Sequence, residues 1–292
     1  MKEPIQEYVE FRKTRDLGRI LGDAISFIKY ERAPLFTAIL RISIIPILMS
    51  IFSVVYYQIH ELTDTGFVDG DNVLGNAFSN ATELPYIFNN LIRVLAYAFI
   101  SVSVFSYIKS YVANKGQINF SEIQKNALRK AFPLAGLSIL KSIVILIGLV
   151  FLVVPGIYLA VVLTLAGSLL VFEDRDVFNA FGESFDFIRG YFWETFGTVL
   201  VAQLIVIVIG ALLSIPVAFY GLGGLFQGEP VLKNFSTLAS DPLYLGLIGL
   251  GQVLDLFLFV FIVVVMALIY FDILERKHPS KTDSMIDAIG TE

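Results

Sequence analysis

From Leu134 to Phe172 the chain runs for thirty-nine residues with one charge, Lys141, and one strong helix breaker, Pro155-Gly156. An α-helix rises about 1.5 Å per residue, so a single straight helix of this length would span roughly 58 Å, against about 30 Å of hydrocarbon. Two crossings joined by almost nothing fit instead. Proline has no N–H to donate and glycine accepts turn geometry, which makes Val154-Pro155-Gly156-Ile157 the expected fold-back, with Pro155 opening the second helix. That second arm, Pro155 to Phe172, covers about 27 Å at helical rise. The pair either crosses fully or enters and leaves one surface as a re-entrant hairpin. In both cases the chain is an integral membrane protein.

Composition leaves no room for a soluble alternative. Mean hydropathy is +0.75 and only 16% of residues are charged. A soluble domain of this size could not hide that much apolar surface. The chain has no cysteine, which removes disulfides, thiolate nucleophiles and thiolate metal sites. A net charge of −5 argues against nucleic acid as a partner. Residues 1–34 are too polar for a cleavable signal peptide, so the first span is expected to serve as an uncleaved membrane signal.

Hydropathy gives six spans: Leu35 to Gln58, Tyr86 to Val112, Leu134 to Val154, Pro155 to Phe172, Thr195 to Tyr220 and Leu243 to Asp272. The expected organisation is a cytoplasmic N-terminal segment at 1–34, a six-helix transmembrane domain at 35–272 and a cytoplasmic tail at 273–292. Basic residues set the direction. Sixteen lie in the segments before span one, between spans two and three, between spans four and five, and after span six; the opposite-side segments hold only Lys233. By the positive-inside rule both termini are cytoplasmic.

Three connecting segments read as amphipathic helices on the cytoplasmic face. In the first, Leu17, Ile20, Leu21, Ala24, Ile25 and Ile28 recur at helical spacing. The second opens at a Ser121-x-x-Gln124 capping box, and the third runs from Val177 to Arg189. An offset of 160 residues pairs Gly22 with Gly182, Asp23 with Glu183, Phe27 with Phe187, Ile28 with Ile188 and Phe36 with Phe196. A true repeat or shared amphipathic bias would each produce that match. The expected fold is all-α, with six transmembrane helices as three hairpins, each preceded by a cytoplasmic amphipathic helix; a true repeat would pack the three copies around a pseudo-threefold axis. The middle segment has no comparable match in sequence.

Charge inside hydrocarbon costs several kcal/mol unless it is paired, hydrated or able to snorkel. Arg41 and Lys141 enter from the cytoplasmic side to a depth of about 10 Å, and Asp272 closes the last span near the same surface. Arg93 and Asp255 approach from the other side. An inner cluster of Arg41, Lys141 and Asp272 and an outer one of Arg93 with Asp255, aided by Gln252 and Asn90, follow as candidates. Gln203 in span five would help line a cavity between them. One reading is structural, with snorkelling cations and a packing ion pair. The other is a polar cavity that accepts an anionic phospholipid head group or passes a polar solute, with a proton relay through Asp255 as a variant.

Enzymatic chemistry has little to work with. His60 and His278 fall on opposite sides of the membrane and neither has a metal-ligand spacing partner. No phosphate-binding loop, Gly-x-Ser-x-Gly or His-Glu-x-x-His occurs. No metal or cofactor is implied. Asn80-Ala81-Thr82 and Asn234-Phe235-Ser236 match the glycosylation pattern, which is irrelevant in most bacteria.

Val154-Pro155-Gly156-Ile157-Tyr158-Leu159-Ala160, followed by Glu173, Ala180, Ser184, Arg189-Gly190 and Trp193, resembles the signature of a bacterial membrane-protein family related to the membrane domain of glycerophosphoryl diester phosphodiesterases. The closing Tyr270-x-Asp272-x-x-Glu275-Arg276 resembles that family's exit from its last span, and Phe11-Arg12-Lys13-x-Arg15-Asp16-Leu17-Gly18 resembles its Bacteroidetes-type members. The resemblance implies a six-helix bacterial inner-membrane protein without an assigned activity. The soluble phosphodiesterase domain and its catalytic histidines are absent, so that activity does not carry over. Val162 stands where many members have arginine.

The function expected from these readings is that of a non-enzymatic inner-membrane accessory protein binding other membrane proteins, lipid or both. A small transporter or lipid-handling protein using the intramembrane polar clusters is the alternative.

Overall fold

A computed structural model describes residues 8–64, 83–226, 228 and 237–279. Asp69, Asp71, Lys233, Lys281 and both glycosylation patterns lie outside them. Among the described residues the chain is helical and contains no strand. The elements are α1 (Leu17–Asp64), α2 (Leu84–Ala113), α3 (Phe120–Phe151), α4 (Val153–Val162), a 3-10 turn (Leu163–Leu165), α5 (Ala166–Phe172), α6 (Val177–Phe187), α7 (Phe192–Gly221), α8 (Gly223–Phe226) and α9 (Pro242–Lys277). Six helical stretches are long and apolar enough to cross a membrane, counting α4 through α5 as one.

The first two expected amphipathic segments are not separate elements. Leu17–Asp64 is one helix, and the segment after Ser121 belongs to the same helix as span three. Burial gives the reason. Ile20, Ala24, Phe27, Glu31, Leu35, Ala38 and Ile42 are all buried, a stripe at three- and four-residue spacing that passes Pro34 without changing face. Ile25, assigned to the apolar face in sequence, is 56% exposed, and Phe27 takes its place inside. Only the third segment, α6, stands alone. It buries Ala180 and Ser184 and ends before Gly190, whose φ of +89° lies in the left-handed region that favours glycine.

The fold-back sits slightly earlier than Pro155. Leu152 alone is extended, at φ −160° and ψ 138°, and α4 already begins at Val153. Proline is tolerated there because the first turn of a helix has no intrahelical use for its N–H. What closes the turn is a pair of glycines. A Cβ on Gly156 would lie 2.5 Å from Leu149 Cγ and 2.7 Å from the Leu149 backbone nitrogen, and one on Gly148 would lie 3.0 Å from Gly156 Cα. The two backbones therefore touch, as small residues allow in membranes. Sequence reading finds Gly156 but not Gly148.

The described residues divide into two compact units, one drawn from Met1–Ile42, Ala98–Leu204 and Val260–Glu292, the other from Ser43–Tyr97 and Ile205–Phe259. In the first unit the same local device opens three helices. Asp16 Oδ1 accepts the Arg19 amide at 2.9 Å, Asn119 Oδ1 that of Glu122 at 3.3 Å and Asp176 Oδ1 that of Asn179 at 2.8 Å. Asn119, not Ser121, is thus the cap of α3. Four residues after each cap stand Ile20, Ile123 and Ala180, and eight after stand Ala24, Ala127 and Ser184; all six are buried. The 160-residue offset also pairs two salt bridges, Arg15–Asp23 at 2.8 Å and Arg175–Glu183 at 2.9 Å. Contacts from other helices reach the first residue of two of these helices and the loop before the third. Arg41 of α1 lies 5.1 Å over the Phe120 ring, Arg129 of α3 bonds Asp174 at 2.7 Å, and Gly197 of α7 faces Leu17.

An aromatic knot fills this unit. Phe11, fully buried, meets Phe27, Tyr111 and Phe271 edge-on at 5.0, 6.0 and 5.6 Å, and Phe172 lies 4.9 Å from Phe271 and 5.4 Å from Phe105. Phe11 and Arg15 anchor residues 8–16 against these helices: Tyr8 also stacks on Tyr111 at 5.2 Å, and the Tyr111 hydroxyl accepts the Val9 amide. Burying a side chain such as Phe11 is worth about 2 kcal/mol, with up to about 1 kcal/mol more per aromatic pair.

The second unit is held by sparse polar contacts at small residues. Gln252 donates to Ser50 at 3.2 Å, Ser53 donates to Asn89 at 3.1 Å, and Gly249 faces Ile51. Asp241 caps α9 through the Leu243 amide at 2.8 Å and accepts the Tyr220 hydroxyl at 2.7 Å.

The fold-back generates a prediction. Gly156→Ala should destabilise the detergent-solubilised protein by about 1–3 kcal/mol through overpacking. Gly182→Ala, where a Cβ meets nothing within 4 Å, should be neutral or stabilising. Thermal unfolding of the two variants checks this, and equal midpoints would contradict the backbone contact.

Candidate functional site

The expected outer pair forms, with an unexpected third member. Tyr97, one turn beyond Arg93 on α2, donates its hydroxyl to Asp255 Oδ2 at 2.6 Å. Arg93 Nη2 lies 3.9 Å from the same oxygen and donates to the Tyr97 oxygen at 3.4 Å. The phenol therefore makes the short bond and the guanidinium stands behind it at the outer limit of an ion pair. The tyrosine ring packs on Phe259 at 4.6 Å, which fixes its direction. Arg93 and Tyr97 are four residues apart on a helix, a spacing that sequence carries. Asp255 also lines a groove of about 320 Å³ with Ser214, Gly210 and Gly251. Gln252 and Asn90 belong elsewhere: Gln252 bonds Ser50, and Asn90 donates back to the Tyr86 carbonyl at 2.9 Å.

The inner trio does not meet. Arg41 lies over Phe120, and Lys141 makes no hydrogen bond or ion pair among the described residues. Asp272, 3% exposed, turns to the N-terminal segment instead. Its Oδ1 accepts the Arg15 amide at 2.6 Å and its Oδ2 lies 3.1 Å from Arg276 Nε. Arg276 then donates to the Arg15 carbonyl at 2.8 Å and to Glu194 at 2.6 Å. The reason is reach. Arg276 is one helical turn from Asp272 and the folded-back residues 8–16 bring the Arg15 amide to it, so the carboxylate has no need of a cation from another span. Gln203 is exposed on α7 and lines none of the described cavities.

A second cluster of charge collects where sequence reasoning has no candidate. Asp174, in the loop between α5 and α6, receives Lys109 Nζ at 2.8 Å, Arg129 Nη2 at 2.7 Å and Lys130 Nζ at 3.5 Å. Its φ of +57° is one that aspartate tolerates better than most residues, and it turns the carboxylate toward all three. Lys109 also donates to the Val171 carbonyl and Lys130 to that of Arg175. Lys109 lies inside the second predicted span and is invisible as a partner until α5 is located. Nearby, Glu31 is buried and accepts the Tyr107 hydroxyl at 2.6 Å, and Glu173 accepts that of Tyr270 at 3.0 Å.

Electrostatics outside the spans follow from these contacts. Partial burial would raise the Asp174 carboxyl, but the hydrogen bond from Lys109 and the charges of Lys109, Lys130 and Arg129 hold it below the usual carboxylate value. The Asp241 carboxyl is also lowered, by the Tyr220 hydroxyl and the two amides at the start of α9.

Comparison of the chain with protein families, with curated proteins and with solved structures finds no match.

The lowered Asp174 carboxyl gives a pH prediction. A group whose folded value is depressed stabilises above its unfolded value and loses that contribution as pH falls through the folded one. The wild-type protein should lose stability more steeply than Asp174→Asn below about pH 4. Melting in detergent between pH 3 and 6 measures it, and parallel curves for the two proteins would count against the cluster.

Proposed function

We propose that this chain is a non-enzymatic accessory protein of the bacterial inner membrane, with both termini cytoplasmic, that binds another membrane protein and lipid. In this reading three hairpins follow one another around a pseudo-threefold axis. The three matching caps of the first unit support that arrangement, and the sixteen-to-one distribution of basic residues supports the orientation.

One observation carries the binding role. Only 11% of the most apolar stretch of α7 is buried within the protein, against 61% for α2 and 56% for α9. Lipid alone would suit such a helix, except that its exposed surface carries Gln203, which has no hydrogen-bond partner among the described residues. A primary amide left unpaired in hydrocarbon costs several kcal/mol, and side chains of this kind join transmembrane helices by hydrogen bonds. The occupant that fits is a transmembrane helix of another protein, with a donor and acceptor side chain at the depth of Gln203.

The absence of cysteine makes the test direct. Leu200→Cys, one turn before Gln203 and 45% exposed, labelled with a benzophenone maleimide and irradiated in native membranes, should join the chain to one other membrane protein. Gln203→Leu should release that protein during purification in mild detergent, with unfolding unchanged. A crosslink to a second copy of the chain, or none, would overturn the reading.

The alternative, a small transporter or lipid-handling protein, is favoured by Asp255, whose carboxylate is held by Tyr97 and Arg93 at the edge of the groove it shares with Ser214. It differs in outcome. Asp255→Asn would abolish solute movement in liposomes under the transporter reading and leave the Leu200 crosslink intact under the accessory reading.

A further inference from the structure

We propose that the hairpin of α3 with α4 and α5 does not cross the membrane: it dips into the inner leaflet and returns, and its apolar tip is a docking surface for the acyl chains of that leaflet. The inference deepens the lipid half of the proposed function and rests on its orientation, which puts the start of α7 at the cytoplasmic surface.

Reach carries the argument. Tyr158, shortly after the fold-back at Leu152, packs on Phe192 with ring centroids 5.3 Å apart. Phe192 is the first residue of α7. Its neighbours stand among charged groups: Glu194 receives Arg276 at 2.6 Å, and the same guanidinium lies 5.6 Å over the Tyr191 ring. At helical rise α4 puts only about 9 Å between Tyr158 and Leu152. With about 4 Å for each ring beyond its own backbone, Leu152 lies within roughly 24 Å of Phe192 however α4 is inclined. Hydrocarbon is about 30 Å thick, so the tip falls short of the outer surface. By contrast α7, 30 residues long, covers about 45 Å and crosses with length to spare.

A second observation puts Tyr158 at a wet surface. It lines a groove of about 420 Å³ together with Asp186, Arg189 and Gly190. Asp186 and Arg189 are both exposed, and charges of that kind stay out of hydrocarbon unless they are paired. Lys277 reaches the same turn and donates to the Asp186 carbonyl at 2.8 Å. Tyrosine suits this level, with its ring in lipid and its hydroxyl in water. Beyond Tyr158 the surface changes. Val150, Phe151, Leu152, Val153 and Val154 are 63% to 79% exposed, a continuous apolar patch that acyl chains tolerate and water does not. One leaflet offers about 15 Å of hydrocarbon, enough for the roughly 9 Å by which the tip extends past Tyr158. The turn also limits its own polar cost, since backbone groups in lipid need partners. The Leu152 N–H donates to the Gly148 carbonyl at 3.0 Å, the Gly156 N–H to the Leu152 carbonyl at 3.3 Å, and Pro155 brings no donor.

The experiment places single cysteines in the full chain, which has none of its own, and applies a membrane-impermeant maleimide to intact cells and again after permeabilisation. Tyr158→Cys should follow Arg189→Cys from the same groove, unlabelled in intact cells and labelled once they are opened. Val154→Cys, at the tip, should stay unlabelled in both. A nitroxide attached at Val154→Cys before reconstitution into vesicles should be relaxed by oxygen more than by a water-soluble nickel chelate, as acyl surroundings require. Labelling of Tyr158→Cys or Val154→Cys in intact cells, with Arg189→Cys still protected, would show a hairpin that crosses and would overturn the inference. So would a Tyr158→Cys that stays silent after permeabilisation while Arg189→Cys reacts, or a Val154 nitroxide relaxed chiefly by the chelate. Arg189→Cys labelled in intact cells would overturn the orientation, and the inner-leaflet claim with it. None of these readouts depends on Gln203, so the accessory reading and the hairpin fail separately.

Discussion

A carboxylate at 3% exposure near the end of a 36-residue apolar helix needs compensation, and the means by which Asp272 obtains it organises the first unit. Water is scarce and an unpaired buried charge costs several kcal/mol, so the partner must be held in place. The protein folds residues 8–16 back over the helices to deliver the Arg15 amide. That segment stays only because Phe11 fills the aromatic knot between Phe27, Tyr111 and Phe271, and because Arg15 is itself fixed by Asp23 and by carbonyls of Glu10, Phe11 and Lys13. The charge and the ring support each other. The α1 cap, the strap and the end of α9 form one network as a result.

The same economy recurs at Asp174 with the signs reversed. There a single acid in the loop after α5 gathers three cations from two helices.

Sequence carried the span count, the fold-back and the outer pair because each depends on local spacing: a thirty-nine-residue apolar run, a Pro-Gly pair, and Arg93 and Asp255 at comparable depth. It also carried the likeness between the starts of α1 and α6, through the Gly22 and Gly182 offset. The middle segment stayed hidden because Asn119, Ile123 and Ala127 reproduce the positions of Asp16, Ile20 and Ala24 in burial and capping without reproducing their side chains. The inner trio failed for a related reason. Depth along a helix says which residues share a level, but not the azimuth, and Arg41 and Lys141 do not turn toward Asp272. Lys109 and Asp174 were unreadable as partners until the loop after α5 was located.

The proposed function requires an even number of crossings, with residues 8–16, the three caps and the Asp272 and Asp174 clusters at one membrane surface. Cysteine scanning tests this directly in a chain that has none of its own. Single cysteines replacing Lys13, Lys115, His278, Glu83 or Ser240, all exposed, would be labelled in intact cells with a membrane-impermeant maleimide. Positions 83 and 240 should react at once, and 13, 115 and 278 only after permeabilisation. Reaction of 115 and 240 from the same side would contradict the arrangement.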